Sequence, residues 1–172
     1  MLQALPKIRK QRPETEFVLQ KAPSIDAGLL QSILQTSPVP VKVVEGHNYD
    51  VMGACDAALA TSGTVTLEAA LCGLPSVICY TASPLSMWIA KHMVYVKYIG
   101  LPNILAGKEI LPELIQENMT PDHMAAAVLH FLEPANAAAV REEMQKAVAK
   151  LGQPGAVERT ARLILETAKE NP

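Results

Sequence analysis

Between Asp56 and Tyr80 the chain reads DAALATSGTVTLEAALCGLPSVICY, and this stretch limits the fold more than any other. Asp56 to Thr61 is a short apolar run of small side chains, suited to a strand covered on both faces. A hydroxyl-rich turn leads into a helical stretch, Thr64 to Cys72, stopped by Gly73 and Pro75, where a glycine just past the helix and a following proline are expected. Ser76 to Tyr80 is again strand-like. A strand, a helix and a strand in so little chain must close as a right-handed parallel crossover, which means an α/β architecture with a parallel sheet.

The flanking sequence extends the alternation. Leu2, Leu5 and Ile8 lie on a helical spacing with no capping residue before them, so the chain reads as beginning inside a helix, with Pro6 where that helix is already under way. Thr15 to Gln20 predicts a strand, Pro23 and Ser24 open a helix over Ile25 to Gln35, and a strand follows Pro40 up to Val44. Glu45 to Asn48 is a loop, and Tyr49 to Ala54 has room for one or two helical turns. Ser83 and Pro84 start a helix over Leu85 to His92, and Val94 to Ile99 is the last expected strand. Beyond the Gly- and Pro-punctuated loop Gly100 to Gly107, Thr120-Pro121-Asp122 caps a helix reaching Leu132; Asn136 to Leu151 and Ala156 to Lys169 supply two more. Residues 1–120 thus form an α/β domain, and residues 121–172 are C-terminal helices packing on it.

Composition excludes several classes. The 172 residues suit one core. With 49% hydrophobic against 19% charged residues, the chain is too apolar for a disordered segment. A net charge of −2 argues against a nucleic-acid binder, whose mark is a strongly basic face. Cys55, Cys72 and Cys79 are too few and too irregular for a disulfide scaffold or a zinc site, and read as small buried hydrophobes in a reduced compartment. No apolar signal core follows Lys7, Arg9, Lys10 and Arg12, and Asp56, Glu68 and Lys91 interrupt any run long enough to span a membrane. A mean hydropathy of +0.16 still leaves an apolar surplus for a large core, an interface or a lipid-facing patch.

The chemistry concentrates in Ala60-Thr-Ser-Gly-Thr-Val-Thr-Leu-Glu68. This segment joins the carboxyl end of a strand to a helix N-terminus, the place where open α/β sheets bind ligands. Unpaired helix N–H groups and the positive end of the dipole favour an anion, Gly63 permits close approach, and Ser62, Thr64 and Thr66 offer hydroxyl donors. Glu68, one turn in, leans back toward the N-terminus, where it can accept hydrogen bonds from vicinal sugar hydroxyls. The same residues also admit a purely structural role, with Ser62 or Thr64 as an N-cap and Glu68 as a first-turn acid. Neither a P-loop lysine nor a GxGxxG is present.

Cys55 to Pro75, Tyr80-Thr-Ala-Ser-Pro-Leu85, Tyr98-Ile-Gly-Leu-Pro-Asn-Ile-Leu-Ala-Gly107, Pro112-Glu-Leu-Ile-Gln116 and Gly155-Ala-Val-Glu-Arg159 together resemble, in order, the C-terminal half of the lipid-A-disaccharide synthases. The resemblance implies a Rossmann-like parallel sheet with flanking helices, the C-terminal half of a GT-B fold lacking its first strand, and a helical C-terminal region. It implies an inverting glycosyltransferase that joins UDP-2,3-diacylglucosamine to 2,3-diacylglucosamine 1-phosphate, releasing UDP and forming lipid A disaccharide, with no cofactor and no metal. At matching positions, Ser62, Gly63 and Thr64 would meet the diphosphate, Glu68 the ribose and the Gly46-His47 loop the uracil edge, with Asn103 beside the donor. The catalytic residue and acceptor site are expected in the N-terminal half, which this chain lacks, so the chain alone is expected to be inactive. Thr81 stands where the family usually has a basic residue. The resemblance further implies a cytoplasmic protein, peripheral on the inner face of the inner membrane, and a homodimer through the C-terminal helices.

The remaining features are weaker. His47, His92, His123 and His130 have no metal-ligand spacing; His123 and His130 share a helix face and read as surface or interface residues. Thr61-Ser-Gly-Thr64 lacks the GxSxG elbow of a serine hydrolase. Leu85 to Tyr95, with Trp88, Lys91 and nearby Lys97, reads as core packing or, alternatively, as a contact with glycolipid or bilayer. A second functional reading therefore stands beside the first: a non-catalytic nucleotide-binding or interaction subunit whose partner supplies the chemistry.

Overall fold

A computed structural model describes residues 1–83 and 97–170. The helix expected over Leu85–His92, the start of the strand expected over Val94–Ile99, and the side chains of Trp88, Lys91 and Tyr95 lie outside the described residues.

The described strands are all parallel and fall into two sheets. β1 (Val18–Lys21) pairs with β2 (Lys42–Glu45), Val18 opposite Lys42 and Lys21 opposite Glu45. β3 (Ala58–Thr61), β4 (Ser76–Tyr80) and β5 (Glu113–Ile115) form the second sheet in that order. With helices flanking them, these make the chain α/β and Rossmann-like. Two expectations are corrected. Residues 97–99, the described end of the strand expected over Val94–Ile99, are irregular, and the Ile99 N–H bonds the Glu113 carboxylate (2.9 Å). Among the described strands β3 is an edge, and Ala58, Leu59 and Ala60 are only half-buried, whereas β4, between two partners, is the strand buried on both faces.

The helices explain themselves locally. A 3-10 turn, Leu2–Ala4, runs into α1 (Leu5–Gln11), which puts Pro6 in the first α-helical turn, where its missing N–H costs nothing. α2 (Ala27–Leu34) starts at Asp26, whose carboxylate accepts from the Leu29 N–H (2.7 Å). α3 (Asn48–Ala54) follows β2. α4 (Thr64–Leu71) ends in a complete Schellman motif: Gly73, at φ +70°, donates to the Ala70 carbonyl (3.1 Å) and Leu74 to that of Ala69 (2.9 Å). The Arg141 Nε donates to the Gly73 carbonyl (3.0 Å), so a helix distant in sequence closes the same corner. α5 (Leu101–Ala106) stops at left-handed Gly107, and the Lys150 ammonium donates to its Leu105 carbonyl (2.7 Å). α6 (Pro121–Phe131) is capped by Thr120, whose hydroxyl accepts from the His123 N–H (3.1 Å). α7 (Pro134–Ala149) and α8 (Ala156–Glu170) complete the described chain.

The core lies where α4 and α6 cover the β3–β4–β5 sheet, with α1 packed on α6 and α7 on α4 and α5. Ile8, Val77, Ile78, Leu111, Met124 and Met144 are all within it and almost wholly buried. Met124, Val128 and Phe131 present one helical face, the i, i+4, i+7 stripe of α6. Phe17, just before β1, packs against this core with the Arg9 guanidinium 5.2 Å from its ring centre, and so ties β1 to the body. α2 and α8 contribute nothing buried. Leu29 and Ile33 on α2, and Val157, Leu163, Ile164 and Leu165 on α8, are exposed. The apolar surplus of the sequence is spent partly on these uncovered faces.

Cys79 is buried in β4, and burial pushes its thiol up to about 11. Cys55 and Cys72 are only half-buried. Among the described residues no helix is long and apolar enough to cross a membrane.

Ile78 on the central strand and Leu163 on α8 should behave oppositely in urea unfolding. Ile78→Ala removes a fully enclosed side chain and should cost about 2–5 kcal/mol. Leu163→Ala, on an open surface, should change stability by less than about 0.5 kcal/mol.

Candidate functional site

The Ser62–Thr64 turn follows the carboxyl end of β3 and begins α4. Gly63 is the N-cap residue, at φ +151°, a conformation that side-chain-bearing residues rarely adopt. No side chain caps the helix. Neither Ser62 nor Thr64 serves as the N-cap. Ser62 is held from two sides: its N–H donates to the Cys79 carbonyl (3.2 Å) and its hydroxyl to the Ile99 carbonyl (3.1 Å). Thr66 turns inward, fully buried, and its hydroxyl donates to the Gly63 carbonyl (2.7 Å). Thr64 is exposed and Glu68 half-buried one turn in. The helix therefore begins with its first N–H groups directed past a glycine, flanked by the Thr64 side chain, with a carboxylate one turn away. Such an arrangement can take an anion at the helix start and sugar hydroxyls beside it.

The Gly46–His47 loop lies at the carboxyl end of β2. Gly46 and His47 both adopt left-handed backbone, φ +73° and +55°, and His47 leads into α3. Its Nδ1 pairs with the Asp50 carboxylate at 3.2 Å. The loop is held from β1, where the Gln20 amide donates to the Gly46 carbonyl (2.9 Å) and to the Asn48 side-chain oxygen (2.7 Å). α3, which this loop starts, packs against α4. Gln20 had no motif to mark it; its role follows from the β1–β2 register.

Asn103 is placed differently from the other expected residues. It is completely buried, and its side chain makes four hydrogen bonds. Its amide nitrogen donates to the Leu111 carbonyl (2.7 Å) and to Glu113 Oε1 (2.8 Å), and its oxygen accepts from the Ile110 and Leu111 N–H groups (both 2.9 Å). Those bonds use the full capacity of a primary amide. Glu113, on β5, also accepts from the N–H groups of Ile99 and Gly100 (both 2.9 Å). Gly100 has no room for a side chain, since a Cβ there would overlap Ile78 Cδ1. Sequence reading did not single out Glu113, although a lone carboxylate in the apolar run LPELI was a visible signal. Among the described residues, no three His, Cys, Asp or Glu side chains come together as metal ligands.

Truncating Asn103 strands several buried groups at once. Asn103→Ala should lower stability by about 3 kcal/mol or more in thermal or urea unfolding, because each orphaned buried partner costs roughly 1–3 kcal/mol.

Comparison with known proteins agrees with this geometry in extent. The family model for lipid-A-disaccharide synthetase matches residues 1–167. Lipid-A-disaccharide synthase of Geobacter sulfurreducens is 40% identical over 167 residues, covering 96% of this chain and 44% of the relative. That of Anaeromyxobacter sp. strain K is 42% identical over 171 residues, again 96% and 44%. That of Syntrophotalea carbinolica is 36% identical across the whole chain and 44% of its own length. The chain thus spans less than half of the curated relatives it matches. A match running through the β3–α4 turn, helix α5 with Asn103 and the C-terminal helices shows that the chain belongs to the lipid-A-disaccharide synthetase family.

Proposed function

We propose that this chain is the donor-nucleotide-binding half of a glycosyltransferase that joins UDP-2,3-diacylglucosamine to 2,3-diacylglucosamine 1-phosphate, releasing UDP and forming lipid A disaccharide. Family membership supports the reaction, and the observation carrying the donor-site assignment is the start of α4, where Gly63 leaves the helix N–H groups without a side-chain cap. In this reading those N–H groups and the Thr64 hydroxyl meet the diphosphate. They stabilise the charge that grows on the leaving UDP, a role that preorganised donors perform without reorganising. Ser62 holds the turn in place, Glu68 accepts from the ribose hydroxyls, and the Gly46–His47 loop meets the uracil edge. Asn103 works from behind the site, since its amide is already saturated.

The acceptor site and the catalytic residue belong, in this proposal, to the part of the relatives' length that the chain does not span. Transfer therefore requires that part, either in the same protein or in a partner chain, and nucleotide binding alone is the property of residues 1–172. The acylated substrates bring the protein to a membrane surface as a peripheral component on the inner face of the inner membrane. A second copy docks through α8, where Val157, Leu163 and Ile164 lie exposed along one side.

Isothermal titration of UDP against the chain tests the nucleotide site. Binding should be measurable, and Glu68→Ala should weaken it about tenfold, the equivalent of 1.4 kcal/mol from a charge-assisted hydrogen bond. Absence of UDP heat from folded protein would overturn the assignment. Sedimentation should report a concentration-dependent dimer that Ile164→Glu converts to monomer.

A further inference from the structure

We infer that Glu113 and Asn103 form a positioning relay that sets the geometry of the Ser62–Thr64 turn through the backbone of Ile99 and Gly100. The inference rests on the reading of that turn as the diphosphate site, and it assigns a role to a carboxylate that makes no contact with the turn itself.

The path is continuous in hydrogen bonds. The Glu113 carboxylate accepts from the Ile99 N–H (2.9 Å) and the Gly100 N–H (2.9 Å), fixing the peptide plane on either side of Ile99. The carbonyl of Ile99 then accepts the Ser62 hydroxyl (3.1 Å), and Ser62 immediately precedes the glycine that starts α4. Asn103 keeps the carboxylate in place, donating to Glu113 Oε1 (2.8 Å) while its own oxygen is clamped by two backbone N–H groups. Gly100 lets the strand and loop approach closely enough for these bonds, since a Cβ there would overlap Ile78 and come within 3.2 Å of the carboxylate.

The chemistry at each end explains the residue types. Two adjacent peptide N–H groups and an amide converge on one carboxyl group, so an ionised acceptor with two oxygens satisfies three donors where a neutral amide satisfies fewer. At the far end a single hydroxyl suffices, because Ser62 needs one donor for Ile99 and its N–H is already given to Cys79. β4 runs between the two ends, so the relay ties β5 to the β3–α4 turn across the strand that separates them. Bound nucleotide would therefore meet a turn braced from three strands, with less loop freedom to lose on binding.

Glu113→Gln is the informative variant. In the orientation that keeps the bonds from Gly100 and Asn103, it places an NH2 group opposite the Ile99 N–H, removing that N–H's shorter bond (2.9 Å) and leaving only its longer one to the shared oxygen (3.2 Å), with the Asn103 amide still satisfied. Ser62→Ala breaks the other end without touching the interior. In the ligand-free protein, the backbone amide resonances of Ser62, Gly63 and Thr64 should move in Glu113→Gln, and those of Ile99 and Gly100 should move in Ser62→Ala. Each variant should bind UDP about fivefold more weakly, roughly one hydrogen bond's worth, and the double variant no more weakly than either single one. A merely stabilising Glu113 would lower the melting temperature while leaving those resonances in place, and would give losses that multiply in the double variant; either result overturns the relay. If Glu113→Gln fails to fold, the Ile99 and Gly100 resonances in Ser62→Ala decide the matter alone: unmoved, they overturn it. Moved resonances with no UDP heat from the wild-type chain would uphold the relay and overturn the nucleotide reading.

Discussion

The buried amide of Asn103 is the point on which the site-bearing half of the molecule depends. A primary amide in an apolar interior is costly unless every donor and acceptor is met, and here all are met by backbone of the 110–111 segment and by Glu113. That requirement fixes α5 against β5, since Asn103 lies on the helix and its partners lie in and before the strand.

From that anchor outward, the fold trades hydrophobic cover for polar precision. β4 lies between β3 and β5 with α4 and α6 packed on it, so its position is set by close packing. β3 is an edge, and its carboxyl end is steadied instead by hydrogen bonds from Ser62 to Cys79 and Ile99. α4 is then locked at its other end by the Schellman motif and by Arg141. The helix start is left without a side-chain cap while everything around it is tied down, an arrangement suited to presenting N–H groups to a ligand.

Much of this was legible in order and type. The strand, turn and helix from Asp56 to Tyr80, the glycine and proline stops, and the Thr120 cap all follow from local rules and recur in the structure within a residue or two. The expected N-cap hydroxyl was not found, because Ser62 is drawn away by the Ile99 carbonyl, 37 residues along the chain, a partner no local rule can name. The same is true of Ile99: its N–H and that of Gly100 go to the Glu113 carboxylate on β5, a partner that no local rule names. Asn103 was legible as a residue of the site loop, and its orientation was not, since only the folded chain shows that its amide faces the interior.

The sequence by itself determined the α/β class, the crossover that carries the turn, and the family, because these rest on periodicity, glycine and proline punctuation, and motif order within short segments. Tertiary structure decided that a glycine and no hydroxyl starts α4, that Ser62 braces the turn, and that Glu113 holds the backbone of Ile99 and Gly100. Those outcomes turn on hydrogen bonds between residues far apart in the chain, where a buried donor must find an acceptor and only the assembled core determines which one lies within reach.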